Sequence, residues 1–253
     1  MRQFPFSFLE EVVAGGGGFP ALTGGLVDYW QSNLGLTGTS NVSAWVGQAN
    51  SETLTYAANS IGPSISGSNA GFNSVDTLTF NGTNQGMGKV FSNLGGTNTG
   101  EVYMSIYAAP HHDGTDWGAQ HGFSSPAYSG NNAGDFSEVV GRSENATSIQ
   151  IYGYPGPGYI NSNDDTYGKG IYTNLISSTQ GVKFFNKGTT ANASGALTAY
   201  KTTRQGYTIG SYNFNNPGLF GKIDVAGVAI WTNPTDYAAD ITAIESYFQG
   251  IYG

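Results

Sequence analysis

The chain has 253 residues, a formal net charge of −8, a pI of about 4.6, no cysteine and only 10% charged residues. That acidic balance lacks the basic footprint that neutralises phosphates, which argues against nucleic acid as a partner. Zero cysteines exclude disulfides, thiolate metal sites and cysteine nucleophiles, and no apolar run approaches the roughly 18 residues of a membrane span.

The first residues stand apart. Phe4, Phe6, Phe8 and Leu9 precede Gly15 to Gly18, and a run of four glycines forms a flexible hinge. This divides the chain into an arm and hinge over 1–18 and a domain over 19–253. Pro5 and the Glu10-Glu11 pair interrupt any signal-peptide core, so the arm is read as retained. Phenylalanines left in water are costly, which predicts an anchor that buries them in a neighbouring subunit; the alternative is a frayed terminus.

From Phe19 on there is no second linker and no repeat. With 39 glycines and 13% aromatic residues, turn signals recur roughly every 8 to 12 residues, the spacing of an all-β sandwich or barrel. They include Gly24-Gly25, Asn81-Gly82, Gly95-Gly96, Asn131-Asn132, Pro155-Gly156 and Asn186-Lys-Gly188. Between them the residues predict strands at 76–80, 100–107, 148–152, 182–185, 206–210 and 223–231. Only the end reads as helix: Tyr237, Ile241, Ile244 and Phe248 repeat at helical spacing after a start signal at Pro234 and Thr235.

These pieces resemble a family pattern. Leu26-Val-Asp-Tyr-Trp30 resembles the opening strand of laminin-G-like, concanavalin A-like domains, and Val42-Ser-Ala-Trp45 the segment that follows it. Thr77-Leu-Thr-Phe80-Asn-Gly-Thr83 is similar to their "Leu-x-Phe-Asp-Gly" hairpin, with Asn81 where Asp is usual. Phe220-Gly-Lys-Ile-Asp224 and the closing Tyr247-Phe248 to Tyr252-Gly253 resemble the last hairpin and helix. The resemblance implies an antiparallel β-sandwich, a concanavalin A-like jelly roll with a short C-terminal helix and an extended N-terminal arm. Such sandwiches serve in carbohydrate recognition, adhesion and virion surfaces, and the Phe/Pro arm with its Gly hinge looks like that of small phage structural proteins.

Glycoside hydrolases of such sandwiches set acids on alternate positions of one strand. No Glu-x-Asp-x-x-Glu pattern occurs, and Asp135 and Glu138, three apart, fall on opposite strand faces. There is no Gly-x-Ser-x-Gly elbow either, so the chain is read as not an enzyme. His111, His112 and His121 lie near Asp113 and Asp116; if a metal binds, it is calcium at the two aspartates, against the plainer reading of a polar loop. Tyr154, Tyr159, Asn161, Asn163, Asp164, Asp165 and Tyr167 form an aromatic and amide-rich loop suited to glycan contact, the alternatives being subunit contact or cover for the sheet. The expectation is a virion protein displayed on a phage capsid or tail. It is anchored to other virion proteins through Phe4, Phe6, Phe8 and Leu9, able to bind host-surface glycans and to self-associate, with no membrane insertion. A secreted or cell-surface carbohydrate-binding module is the alternative.

Overall fold

Alternating apolar and polar residues resolve into two stacked antiparallel sheets, with one helix laid across the outer face of the first. The structure is a computed structural model; it describes residues 18–56, 60–91, 100–110, 119–124, 138–142, 149–153, 158–161, 168–177, 179–191, 193–195, 206–211 and 220–253, and from 119 to 161 the backbone alone. The anchor residues Phe4, Phe6, Phe8 and Leu9 lie outside these.

In chain order the strands are β1 (Gly25–Gln31), β2 (Leu36–Thr37), β3 (Ala44–Val46), β4 (Thr53–Tyr56), β5 (Ser64–Asn69), β6 (Val75–Asn81), β7 (Met87–Val90), β8 (Glu101–Pro110) and β9 (Ala119–Ser124). They continue with β10 (Glu138–Arg142), β11 (Ile149–Gly153), β12 (Gly158–Asn161), β13 (Gly170–Ser177), β14 (Gly181–Asn186), β15 (Ala193–Gly195), β16 (Gly206–Ile209) and β17 (Lys222–Thr232), followed by helix α1 (Tyr237–Tyr252). One sheet runs β15-β14-β13-β8-β17-β6-β5, with β1 also paired to β17; the other runs β12-β11-β10-β9-β16-β7-β4-β3-β2. The all-β sandwich expected from the sequence is the fold.

Strand β17 organises the first sheet. It pairs with β8 along one edge, and along the other with β6 through Lys222 to Val225 and with β1 through Gly227 to Thr232. Between these halves the register slips by one residue at Ala226, a bulge that reverses the alternation. Ile223 and Val225 therefore face the same core as Val228 and Ile230, while Ala226, Ala229 and Trp231 face the helix. The freed Ala226 carbonyl accepts from the Ser32 N–H at 2.9 Å, which ties the end of β1 into the gap.

Two apolar layers result. Between the sheets lie Trp30, Trp45, Leu54, Phe80, Met87, Met104, Tyr207 and Ile209 with their neighbours. On the far side of the first sheet, α1 packs Ile241, Ile244, Phe248 and Tyr252 onto Tyr103, Tyr107, Leu175, Phe185 and Trp231. The helix begins at Asp236, whose side chain accepts from the Ala239 N–H at 3.0 Å. Asp240, in the first turn, accepts from the N–H groups of Thr23 and Gly24 at 2.7 and 3.1 Å, fastening the chain ahead of β1 to the helix. Phe19 stacks on Tyr29 at 4.0 Å and meets Tyr247 edge-on at 5.0 Å. Gly227 makes the helix's close approach geometrically feasible, because the Phe248 ring occupies the space a side chain would take.

Candidate functional site

The helix covers the outer face of the first sheet, which leaves the outer face of the nine-stranded sheet as the broad surface to consider. Its floor can be read from the register. One row crosses all nine strands: Thr37, Ala44, Thr55, Gly88, Thr208, Gly122, Val139, Tyr152 and Tyr159. Neighbouring rows on the same face hold Val90, Gly206 and Ser124, and then Gly141, Gln150 and Asn161. None of these positions is charged. The intervening row, Met87, Ile209, His121, Val140, Ile151 and Ile160, is the core row, since Met87 and Ile209 pack between the sheets.

Small residues occupy the middle of the outer row and tyrosines one end. Thr37 and Thr55 are exposed, whereas Gly88 and Thr208 are buried. At the β11–β12 hairpin, Tyr152 stands opposite Tyr159 and Gln150 opposite Asn161. The register therefore places two tyrosine and two amide positions next to one another on paired strands at the sheet edge. Aromatic faces that stack on sugar C–H groups, flanked by amides that both donate and accept, are the chemistry of a neutral glycan site.

Tyr159 and Asn161, expected in an irregular loop, lie in a strand. For these two residues the expected loop is strand β12, Gly158–Asn161, paired antiparallel with β11. Tyr154, Asn163, Asp164, Asp165 and Tyr167 lie outside the described residues, as do the calcium candidates Asp113 and Asp116. His121, grouped with those aspartates from sequence, falls in β9 at a core-row position. Among the described residues no group of three or more His, Asp or Glu side chains converges in a way that could hold a metal. Gln150 and Tyr152 were not singled out from sequence, although the alternation Ile149-Gln-Ile-Tyr152 already set both on one face of a strand.

The described carboxylates serve largely as fasteners. Asp28 is fully buried and accepts from the N–H groups of Tyr29, Ala49 and Glu52, each at 2.8 Å. It thereby shapes the turn between β3 and β4, and the ordering extends to Lys89, which pairs with Glu52. Asp224 accepts from Thr79 Oγ1 at 2.5 Å and from Asn69 Nδ2 at 3.4 Å. Around the helix, burial raises the Glu245 carboxyl above its usual range. Burial pushes the Tyr252 phenol up to about 12, and Tyr103 is raised by burial and then by Glu101, to which its hydroxyl donates at 3.0 Å.

No known sequence family and no curated protein matches the chain. Solved structures do share its fold. A sialidase of Trypanosoma rangeli, in complex with a difluorinated KDN, is 13% identical with a TM-score of 0.59 over 90% of this chain and 32% of its own. A GH54 α-L-arabinofuranosidase mutant soaked with 4-nitrophenyl α-L-arabinofuranoside is 9% identical, with a TM-score of 0.57 over 84% of this chain and 52% of its own. An arabinofuranosidase complexed with arabinofuranosyl-α-1,2-xylobiose is 11% identical, with a TM-score of 0.57 over 84% and 51%. This chain thus spans about a third of the sialidase and about half of the arabinofuranosidases. The comparison corrects the reading that the chain is not an enzyme. Solved structures that share its sandwich include glycosidases. At such identity the likeness shows the fold alone: this chain is a β-sandwich of the kind found in carbohydrate-processing proteins.

Proposed function

We propose that the chain is a carbohydrate-binding β-sandwich that holds neutral glycans on the outer face of its nine-stranded sheet, at the β11–β12 hairpin. The observation that carries this reading is the cross-strand set Tyr152, Tyr159, Gln150 and Asn161 on a face whose register rows contain no charge. The fold's occurrence in a sialidase and in arabinofuranosidases supports it at the level of ligand class. Glycan-array binding of the full chain, compared with Tyr152→Ala and Tyr159→Ala, tests it. Each lost stacking contact costs about 0.5–1.5 kcal/mol, roughly a two- to twelvefold loss of affinity, while melting stays cooperative. Unchanged binding in the double variant refutes the assignment.

A second reading concerns display. Phe19 between Tyr29 and Tyr247, together with the Asp240 fastening of Thr23 and Gly24, fixes where residues 1–17 join the domain. In this reading Phe4, Phe6, Phe8 and Leu9 insert into other proteins of a phage capsid or tail, so that the sandwich is carried on a virion and meets host-surface glycans. Deleting residues 1–17 should leave folding and glycan binding intact and abolish incorporation into the parent assembly. Normal incorporation of the truncated chain would refute the anchor and favour a secreted or cell-surface module.

A further inference from the structure

Strand β13 is buried along its whole length. Its alternation sets Tyr172, Asn174 and Ile176 on one face, and Tyr172 and Ile176 belong to the layer between the sheets. The register neighbours of Asn174, Met104 on β8 and Phe184 on β14, belong to the same layer. A carboxamide therefore stands in the middle of an apolar core. It is fully buried, and among the described residues neither its Nδ2 nor its Oδ1 has a hydrogen-bond partner.

Such an arrangement is costly when dry. A buried amide loses its hydrogen bonds to water on folding, and an apolar side chain of similar volume at the same position would avoid the loss. The surroundings are not uniformly apolar, however. Asn186 on β14 stands opposite Tyr172, one diagonal step from Asn174, and is 6% exposed. The Tyr172 hydroxyl is engaged with the Gly168 carbonyl at 2.5 Å. Asn186 is thus a second buried amide close by in the register, and a buried water is generally stabilised by two to four polar partners.

We propose that the sandwich interior beside Asn174 is a binding site for ordered water. The Asn174 Nδ2 donates to the bound solvent and its Oδ1 accepts from it, with the Asn186 amide one diagonal step away. The site is independent of the outer-face glycan reading, because it lies on the opposite side of the nine-stranded sheet. Two measurements on the full chain test it together. Water-to-amide cross-relaxation by NMR, with labelled asparagine, should show a long-lived water at the Asn174 side-chain amide. The cross-peak should vanish in Asn174→Leu, and that variant should melt no higher than the wild type. Absence of a long-lived water in the wild type overturns the proposal, as does a higher melting temperature for Asn174→Leu, the signature of a dry orphan amide relieved by an apolar side chain. If Asn174→Leu does not fold, the wild-type water measurement decides by itself.

Discussion

Gly227→Ala is the sharpest test of how the helix seats on the first sheet. A Cβ built at Gly227 falls 2.1 Å from Phe248 Cε1 and 2.6 Å from both Cδ1 and Cζ, where ordinary contact begins at 3.4 Å. The ring must retreat by more than 1 Å, yet Phe248 is fully buried among Tyr107, Tyr252 and Phe19. Overpacking of this kind costs about 1–3 kcal/mol, and the gain from replacing a strand glycine, roughly 0.5–1 kcal/mol, offsets part of it. A net loss of about 1–2 kcal/mol is expected, read as a lower denaturant midpoint at unchanged slope. Phe248→Ala alone should cost about 3–5 kcal/mol. In the double variant the new methyl enters the space vacated by the ring, so the two losses should fall short of additivity by at least about 0.5 kcal/mol. Wild-type stability in Gly227→Ala, or strict additivity in the cycle, would refute the contact as the reason for glycine.

Other consequences follow from the fasteners. Asp28→Ala strands the N–H groups of Tyr29, Ala49 and Glu52 and should cost roughly 2–5 kcal/mol by chemical denaturation, whereas Asp28→Asn, which keeps one acceptor, should cost less. Asp240→Ala should free the segment from Phe19 to Gly24, read as faster proteolysis ahead of β1 with little change in the sheets. Glu245 has a raised folded pKa, so its stabilising contribution is full below the unfolded value near 4.5 and is lost as pH rises through the folded value. Glu245→Gln should therefore melt higher than the wild type at neutral pH and converge with it near pH 4; equal melting curves at both pH values would contradict the burial argument.

Elements with an apolar face set against a polar one read most directly from the sequence, although β8 and β17, expected at 100–107 and 223–231, are buried on both faces. The strands expected at 76–80, 148–152 and 206–210 correspond to β6, β11 and β16. The C-terminal helix was legible because its apolar stripe at Tyr237, Ile241, Ile244 and Phe248 lies against the sheet. Strand β13 was missed: Gly-Ile-Tyr-Thr-Asn-Leu-Ile-Ser is buried on both faces, between the second sheet and α1, and shows no period of two. Strand β5 was missed for the opposite reason, as an edge strand rich in serine with little to bury. The bulge at Ala226 left no mark in the composition of β17. At the candidate site, the strand at 148–152 and the tyrosine- and asparagine-rich region after it were both legible, but their pairing was not. Assigning Gln150 and Tyr152 to the site required the register between β11 and β12, which alternation within a single strand does not supply. The non-enzymatic reading failed because it rested on missing motifs, an acidic pattern and a serine elbow, whereas solved structures with the same fold include glycosidases.

The position of β17 carries a consequence for how the chain is made. This strand lies between β8 on one edge and both β6 and β1 on the other, yet it is synthesised after all three. Until it emerges, the first sheet has a gap through its middle, Trp30 and Phe80 lack the Val228 and Ile223 that pack with them, and the helix has no complete surface to dock on. Domains generally fold as units during synthesis, and here the unit closes only with its last strand and helix. Until then the nascent chain carries the β17-facing edges of β1, β6 and β8 unpaired, and pairings this distant in sequence form slowly. A low charge content makes that interval one of exposure to aggregation, so yield in a heterologous host should respond more to chaperone supply and synthesis temperature than to any substitution at the glycan face.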